Sequence, residues 1–241
     1  MSFHDPESDL SVLNRNAFDL EVRVNPLTHQ VLKIAQKIWE KTDGLFDCTV
    51  ASVLVRFKFL PKTPFNANLH PKASYEDIQL LPGDRVRYKK RLILDLGGIA
   101  KGFAVDQAVK ELKRHGISNG SVNAGGDIRV FGRRKKTVYL RCPENLGRLI
   151  PLSGLTNAAI ATSGAYHSLR RFKGRSISHF ANPKNRRLFS RDYSVTVFAD
   201  DCITADALTK PVMILEDPHA AFLKKFRAKA LILKRDMCYE K

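Results

Sequence analysis

The chain has 241 residues, enough for one large domain or two small ones with a sizeable core. Hydrophobic residues make up 44% and charged residues 27%, as in ordinary globular proteins, but 41 Lys and Arg against 24 Asp and Glu leave a net charge of +17. Such an excess attracts anionic ligands and polyanions at long range, and no apolar run approaches ~18 residues, which excludes a membrane-spanning helix.

The start, "MSFHDPESDL", is acidic and polar and does not read as a signal peptide, so a cytoplasmic setting is expected. Cys48, Cys142, Cys202 and Cys238 are scattered with no C-x-x-C spacing, which predicts reduced thiols rather than a zinc site or a disulfide framework. A first helix is predicted from Pro26 to Lys41. Pro26 suits a helix start, Val31, Ile34, Ala35 and Ile38 share a face, and Gly44 follows its end. "SVLVRFKFL" (52–60) and "DRVRYKKRLILDL" (84–96) alternate as strands do. "AKGFAVDQAVKELKRHG" predicts a helix with an apolar stripe of Ala104, Val105, Ala108, Val109 and Leu112, closed by Gly116. "SNGSVNAGGDIRVFG" predicts a hairpin: a strand ending at Asn123, a glycine pair enabling positive φ, and a strand returning to Gly132. "TVYLRC", "AAIATSG", "SVTVFAD" and "ALILKRD" read as further strands, and "TADALTKPVMIL" and "DPHAAFLKKFRAK" as helices, the first interrupted by Pro211. Helices and strands mix without strict alternation, which predicts an α+β fold, taken as one domain over 1–241.

Four stretches carry chemistry-bearing residues. In "LILDLGGIAKGFAVDQAVKEL" (92–112), glycines at a predicted strand-to-helix turn could admit a phosphate, with Lys101 adding charge. The spacing matches neither G-x-G-x-x-G nor the P-loop, so spacing alone favours a packing role. "SVNAGGDIRVFG" is explained as a hairpin. In "SISHFANPKNRR", His179 precedes a turn set by Asn182 and Pro183, and a histidine beside an anion-attracting turn can serve as a general base. In "CITADALTKPVMIL", Asp206 and Thr209 are three residues apart and face the same way on a helix, a carboxylate and a hydroxyl suited to Mg²⁺. The competing structural reading makes Thr204 the helix cap and puts Asp206 in the first turn. The basic runs "GRRKK", "LRRFKGR", "PKNRR" and "LKKFRAK" allow nucleic-acid binding, but aromatic interleaving is thin and no RRM, KH or zinc-finger signature is present, so nucleic acid is not the expected partner.

In combination these motifs resemble one family. "DPESDLSVLNR", "TDGLFDCTV", "DLGGIAKGFAVD", "NAGGDIRVFG", "TSGAYHS", "SHFANP" and "ADALTKPVMIL" follow, in order, the pattern of the ApbE family of FAD:protein FMN transferases over nearly the whole chain. The resemblance implies an enzyme that moves FMN from FAD to a threonine hydroxyl of an acceptor flavoprotein, releasing AMP, with Mg²⁺ at the pyrophosphate. It implies FAD between "GLFD", the "GGIAKG" turn and "SHF". Carried over by position, Leu45, Phe46 and Asp47 correspond to a flavin-lining segment, Asp95 and Lys101 to FAD contacts, and Phe180 to an aliphatic flavin contact. His179 corresponds to the proposed general base, and the Gly98 carbonyl, Asp206 and Thr209 to metal-site positions.

The chain departs from that pattern in four places. The usual "HIIDPRTG" reads "HFANPKNR", with Asn182 in place of an aspartate and Arg186 in place of a glycine. Lys210 stands where a threonine follows the metal-site aspartate, and a protonated lysine cannot ligate Mg²⁺. Pro211 removes a helix hydrogen bond and clashes one turn back, at about 3 kcal/mol in a regular helix. The family's first strand, with a methionine that packs on the flavin, has no counterpart before "FHDPESDL". The second reading is therefore a degenerate member that binds FAD or another nucleotide with little transfer.

Overall fold

The structure is a computed structural model that describes residues 1–63, 68–143, 145, 147–165 and 168–234. Tyr166 and His167 of the "TSGAYHS" motif, Cys238, and the end of the "ALILKRD" segment lie outside the described residues. The fold is a mixture of helices and antiparallel sheets, as expected. The chain divides into two compact units, one formed by residues 1–100 and 181–189, the other by residues 101–180 and 190–241. Among the described residues, no helix is long and apolar enough to cross a membrane.

The first unit opens with α1 (Asp9–Asn16), β1 (Val22–Arg23) and α2 (Pro26–Lys41). Ser8 caps α1 by accepting the Ser11 N–H, and Asn25 caps α2 by accepting the Leu27 N–H just ahead of Pro26. α2 has the predicted bounds and buries Val31, Leu32, Ala35 and Ile38. The segment read as a strand at 52–60 is instead a short helix, α3 (Ala51–Arg56), entered through a 3₁₀ turn at Cys48–Val50. Its alternating valines suit a strand, but Ala51, Val53 and Leu54 bury together on a helix that the turn starts. β2 (Ile78–Leu81) and β3 (Arg85–Tyr88) complete a three-stranded antiparallel sheet ordered β1-β3-β2.

Beyond Tyr88 the predicted strand stops short. Leu92, Ile93, Leu94 and Leu96 are buried, yet this stretch joins no sheet. Its backbone is satisfied by a side chain: Asn14 Oδ1 accepts the Leu94 N–H at 2.7 Å, and Asn14 Nδ2 donates to the Leu94 carbonyl at 3.0 Å. The Asp95 N–H donates to the Cys48 carbonyl at 3.0 Å. An amide on α1 thus does for this stretch what a neighbouring strand would otherwise do.

The second unit takes up the chain within α4 (Ala100–Arg114), and continues with β4 (Gly120–Ala124), β5 (Asp127–Phe131), β6 (Lys136–Arg141), β7 (Leu149–Leu155), β8 (Ala159–Gly164), β9 (Arg170–Phe172) and β10 (Arg175–Ile177). The chain then forms the hairpin of β11 (Phe180–Asn182) and β12 (Arg187–Phe189), most of it in the first unit, before β13 (Ser194–Ala199), α5 (Cys202–Leu215), α6 (Ala221–Lys225) and β14 (Lys229–Leu233). Five strands form an antiparallel sheet ordered β14-β13-β8-β5-β4, and α5 packs across β8 and β13. The β4–β5 hairpin is as expected, with Gly125 and Gly126 both at positive φ (63° and 97°) and Ala124 opposite Asp127. The buried stripe of α4 is Gly102, Phe103, Val105 and Val109, rotated from the predicted one, so that Ala104 and Leu112 face solvent. α5 runs unbroken through Pro211 and is buried on nearly every side.

The cysteines partly contradict the sequence reading. Cys48 and Cys202 are buried free thiols, but Cys142 is disulfide-bonded. Whether a cysteine is bonded depends on which sulfurs folding brings within reach, and spacing along the chain does not record that.

Gly102 decides how closely α4 and α5 approach. A Cβ built there would lie 2.3 Å from the Cys202 carbonyl oxygen and 2.8 Å from the Ile203 Cα, both backbone atoms that cannot turn aside. In an open helix Gly→Ala stabilises by roughly 0.5–1 kcal/mol. Here the sign reverses: Gly102→Ala is expected to destabilise by about 1–3 kcal/mol, read as a lower urea midpoint at unchanged m-value.

Candidate functional site

In the second unit the first turns of α4 and α5 meet strand β5 in a cluster of charged side chains. The N-terminus of α5 is capped from two directions. Asp201 accepts the Thr204 N–H at 2.9 Å, and Asp106 on α4 accepts the Cys202 and Ile203 N–H groups at 3.0 and 2.9 Å. The cap is therefore Asp201, not Thr204, and Asp206 lies beyond the first turn, its side chain 1% exposed.

Asp206 has its partners inside this unit. Oδ2 accepts the Gly102 N–H at 3.3 Å, and Oδ1 pairs with the Lys210 ammonium one turn along the same helix. Lys210 Nζ also donates to the Asp206 carbonyl at 2.8 Å. The Thr209 hydroxyl donates to that same carbonyl at 2.7 Å and meets Ser163 Oγ on β8 at 2.8 Å. Nearby, Lys101 donates to the buried Asp127 carboxylate at the start of β5, and the lysine itself is half exposed. Two carboxylates and two ammonium groups thus share one small region, and each buried anion has a cation partner.

The electrostatics follow from that crowding. Burial, then repulsion from Asp206, pushes the Asp127 carboxyl up to about 6, against the pull of Lys101 and Lys210. Burial alone would lower Lys101, but the Asp206 and Asp127 carboxylates outweigh it and hold its ammonium above the usual lysine value. His179 moves the other way. Desolvation of the ring, then the Lys210 and Lys101 cations, lower it to about 4, so the imidazole is neutral at physiological pH. Its Nδ1 lies 2.5 Å from Ser168 Oγ, which also reaches the Ala165 carbonyl at 3.4 Å. A Ser168 hydroxyl that gives its proton to that carbonyl can accept Nδ1–H, which leaves the lone pair on Nε2. The buried Phe180 ring lies 4.1 Å from the imidazole, centroid to centroid.

The remaining expected residues belong to the first unit. Phe46 is buried and Leu45 half-buried. Asp47 is buried with internal partners: Oδ1 accepts the Thr49 N–H at 2.7 Å and Oδ2 the Tyr75 N–H at 3.3 Å. Arg186 turns inward from its basic run and donates to the Thr49 carbonyl at 3.0 Å, the Thr49 hydroxyl at 3.0 Å and the Ala73 carbonyl. Asn182 closes the turn of its hairpin, its side chain accepting the Lys184 N–H and its carbonyl the Arg186 N–H, both at 2.9 Å. In the glycine turn, Asp95 Oδ1 accepts the Gly97 N–H at 3.0 Å, and the Leu96 carbonyl accepts the Ile99 and Ala100 N–H groups at 3.0 and 2.8 Å. Neither Gly97 nor half-buried Gly98 has a positive φ. The backbone donors of Gly97, Ile99 and Ala100 are thus used internally rather than presented to a ligand.

The oxygen donors of the second unit do not fit a magnesium ion, which needs several oxygen ligands in near-octahedral order. Of the Asp206 oxygens, one faces an ammonium and the other a backbone N–H, and the Thr209 hydroxyl is bonded to the Asp206 carbonyl and Ser163. Among the described residues, no group of three or more His, Cys, Asp and Glu is arranged to hold a metal.

Sequence reasoning singled out Lys101, His179, Asp206 and Thr209, which this unit does gather, and flagged Lys210 as a departure. It missed Asp127 as the partner of Lys101, Asp106 as a cap and Ser168 as the histidine's neighbour, all contacts across long sequence separations. The Asp206–Lys210 pair did have a sequence signal, the i,i+4 spacing of opposite charges.

Asp127 makes a pH prediction. Its folded value, about 6, lies above the unfolded carboxylate value of 3.8, so between the two the folded state binds the extra proton. Its contribution is therefore lost as pH rises through that window. Relative to Asp127→Asn, the wild type should lose stability between about pH 4 and 6, measured by urea unfolding at stepped pH.

Comparisons with known proteins agree with this architecture. The model of the ApbE family matches residues 1–232. An FAD:protein FMN transferase from Vibrio cholerae is 30% identical over 229 residues, covering 89% of this chain and 69% of the relative. One from Haemophilus influenzae is 28% identical over 240 residues, covering 91% and 69%. The solved flavin transferase ApbE of Vibrio cholerae superposes with a TM-score of 0.80 at 27% identity, covering 96% of this chain and 79% of that one. The ApbE protein of Thermotoga maritima superposes at 0.79 and 28%, covering 96% and 80%. With nearly its whole length matched by the family model and the fold shared with solved members, this chain is a transferase and belongs to the ApbE family.

Proposed function

We propose that the protein is an FAD:protein FMN transferase. In the proposed reaction, a threonine hydroxyl of an acceptor flavoprotein attacks the phosphorus on the FMN side of the FAD pyrophosphate. The bond to the AMP phosphate breaks, AMP leaves with the bridging oxygen, and FMN stays on the threonine as a phosphoester. The observation that carries this reading is the cluster of Lys101 and Lys210 beside a neutral His179, all within the second unit.

Each group has a role that its surroundings support. Lys101 and Lys210 are ammonium groups with protons to spare for phosphate oxygens, and they neutralise charge on the pyrophosphate and the departing AMP. His179 Nε2 takes the proton of the attacking hydroxyl, and Ser168 holds the tautomer that leaves Nε2 open to do so. Phe180, buried against the histidine ring, is assigned to flavin contact and restricts how the imidazole can turn. The assignment of Leu45, Phe46, Asp47 and Asp95 to FAD contact rests on the family resemblance. The same resemblance implies the Gly98 carbonyl, Asp206 and Thr209 as magnesium positions, but the Asp206 and Thr209 oxygens are already engaged within the protein and do not fit that role.

The Lys210–Asp206 pair also favours a second reading, in which the protein binds the nucleotide with little transfer. The test is incubation with FAD and a flavoprotein acceptor, followed by intact mass and AMP measurement. An FMN adduct with matching AMP supports transfer. FAD binding by folded protein without adduct or AMP overturns transfer and supports the second reading, most directly if Lys210→Thr with Pro211→Ala restores it.

Three further outcomes are expected of an active enzyme. His179→Ala should lower kcat by about 10²–10⁴ with little change in FAD affinity. The acid limb of kcat/KM should inflect near His179's value of about 4 rather than near the ordinary histidine value, because the base is already deprotonated above it. Removal of the hydroxyl by Ser168→Ala should lower kcat and move that limb.

A further inference from the structure

We infer that Lys210 is a built-in cation standing where the family resemblance implies a divalent metal, so that this protein engages the pyrophosphate of its nucleotide without a metal ion. The inference deepens the flavin-nucleotide reading and rests on it.

The geometry carries it. Lys210 has three N–H donors; two go to Asp206, one to its carbonyl at 2.8 Å and one to Oδ1. Among the described residues the third has no recorded partner, and the side chain is 22% exposed, enough for a ligand oxygen to reach it. A metal at the same carboxylate would gain little. Oδ2 faces the Gly102 N–H, a backbone donor that cannot turn away while Gly102 is packed on the Cys202 carbonyl. The Thr209 hydroxyl has given its proton to the Asp206 carbonyl and meets Ser163. A divalent ion displacing Lys210 would thus find one carboxylate oxygen with its lone pairs unengaged. It would also enter a region already holding the Lys101 ammonium.

The reverse exchange is also disfavoured. Asp206 is 1% exposed, and a buried carboxylate stripped of its cation is costly. Lysine differs from magnesium in what it asks of the site. It is a point charge on a flexible stem and needs no ligand shell, whereas magnesium demands ordered oxygens. Lys210 and Lys101 together supply two positive charges, the same formal charge as one magnesium ion. The Asp206 and Asp127 carboxylates hold them in place, as acidic ligands hold a metal.

The test uses the purified chain, with FAD binding followed by flavin fluorescence in chelator and in magnesium, and Mn²⁺ binding followed by electron paramagnetic resonance. The expected result for the wild type is equal FAD affinity in both buffers and no stoichiometric Mn²⁺ site, with or without FAD. Lys210→Thr should bind FAD about tenfold more weakly in chelator, the loss of one charge-assisted contact. Lys210→Arg keeps the cation and should stay insensitive to chelator, which guards against a Thr variant that merely fails to fold. FAD binding by the wild type that needs magnesium, a one-to-one Mn²⁺ site, or undiminished FAD affinity in folded Lys210→Thr would each overturn the inference. Magnesium-dependent binding with transfer leaves the transferase reading standing. Metal-free FAD binding without transfer sinks that reading and supports this one. Absence of FAD binding in both buffers overturns both.

Discussion

The close approach of α4 to α5 at Gly102 is the constraint on which the charged region of the second unit depends. With no side chain between them, the Gly102 backbone packs on the Cys202 carbonyl and its N–H reaches Asp206. The same approach lets Asp106 on α4 take the first two N–H groups of α5. A helix start normally offers its N–H groups and positive end to an anion. At α5 that anion is protein carboxylate, supplied by Asp201 and Asp106, and the capacity is used to lock one helix to another.

Charge then propagates through the cluster in a determined order. Burial of Asp206 and Asp127 is tolerable only with cations beside them, and Lys210 and Lys101 fill that need. Desolvation of the ring, then the two ammonium groups, lower the neighbouring His179, which stays neutral with one ring nitrogen free to accept a proton. A packing requirement at one glycine is in this way linked to a proton acceptor on a different segment, through burial and Coulomb interactions alone. Among the described residues the basic runs around Arg133, Arg170, Lys184 and Lys224 are largely solvated; Arg186 is the exception, turned inward to bind the Thr49 and Ala73 carbonyls.

The first unit relies on polar side chains that bond to backbone. Asn14 pairs with Leu94, Asp47 with Thr49 and Tyr75, and Arg186 with Thr49 and Ala73. The Asn182 and Arg186 substitutions that looked like losses of function at the level of motif have structural work in this chain. Asn182 closes a turn without a charge, and Arg186 takes up backbone carbonyls and lies close enough to Asp47 to draw its carboxyl down against the rise that burial causes.

The sequence by itself determined what local chemistry controls. α2 was legible because cap, proline and apolar spacing agree within one segment, and the β4–β5 hairpin because its glycine pair meets the positive φ of a tight turn. The ApbE pattern was legible because glycine-bearing motifs in a set order are rare, and the α+β mixture followed from irregular alternation. Tertiary structure decided the rest. Alternating valines at 52–55 became a helix because its entry turn and burial outweighed a strand preference worth well under a residue's packing energy. The buried run at 92–96 stayed out of any sheet because a side-chain amide satisfied it. The roles of Gly102, Asp127, Asp106 and Ser168 needed contacts spanning 11 to 104 residues, which no spacing rule encodes, because burial and desolvation arise only when distant segments pack.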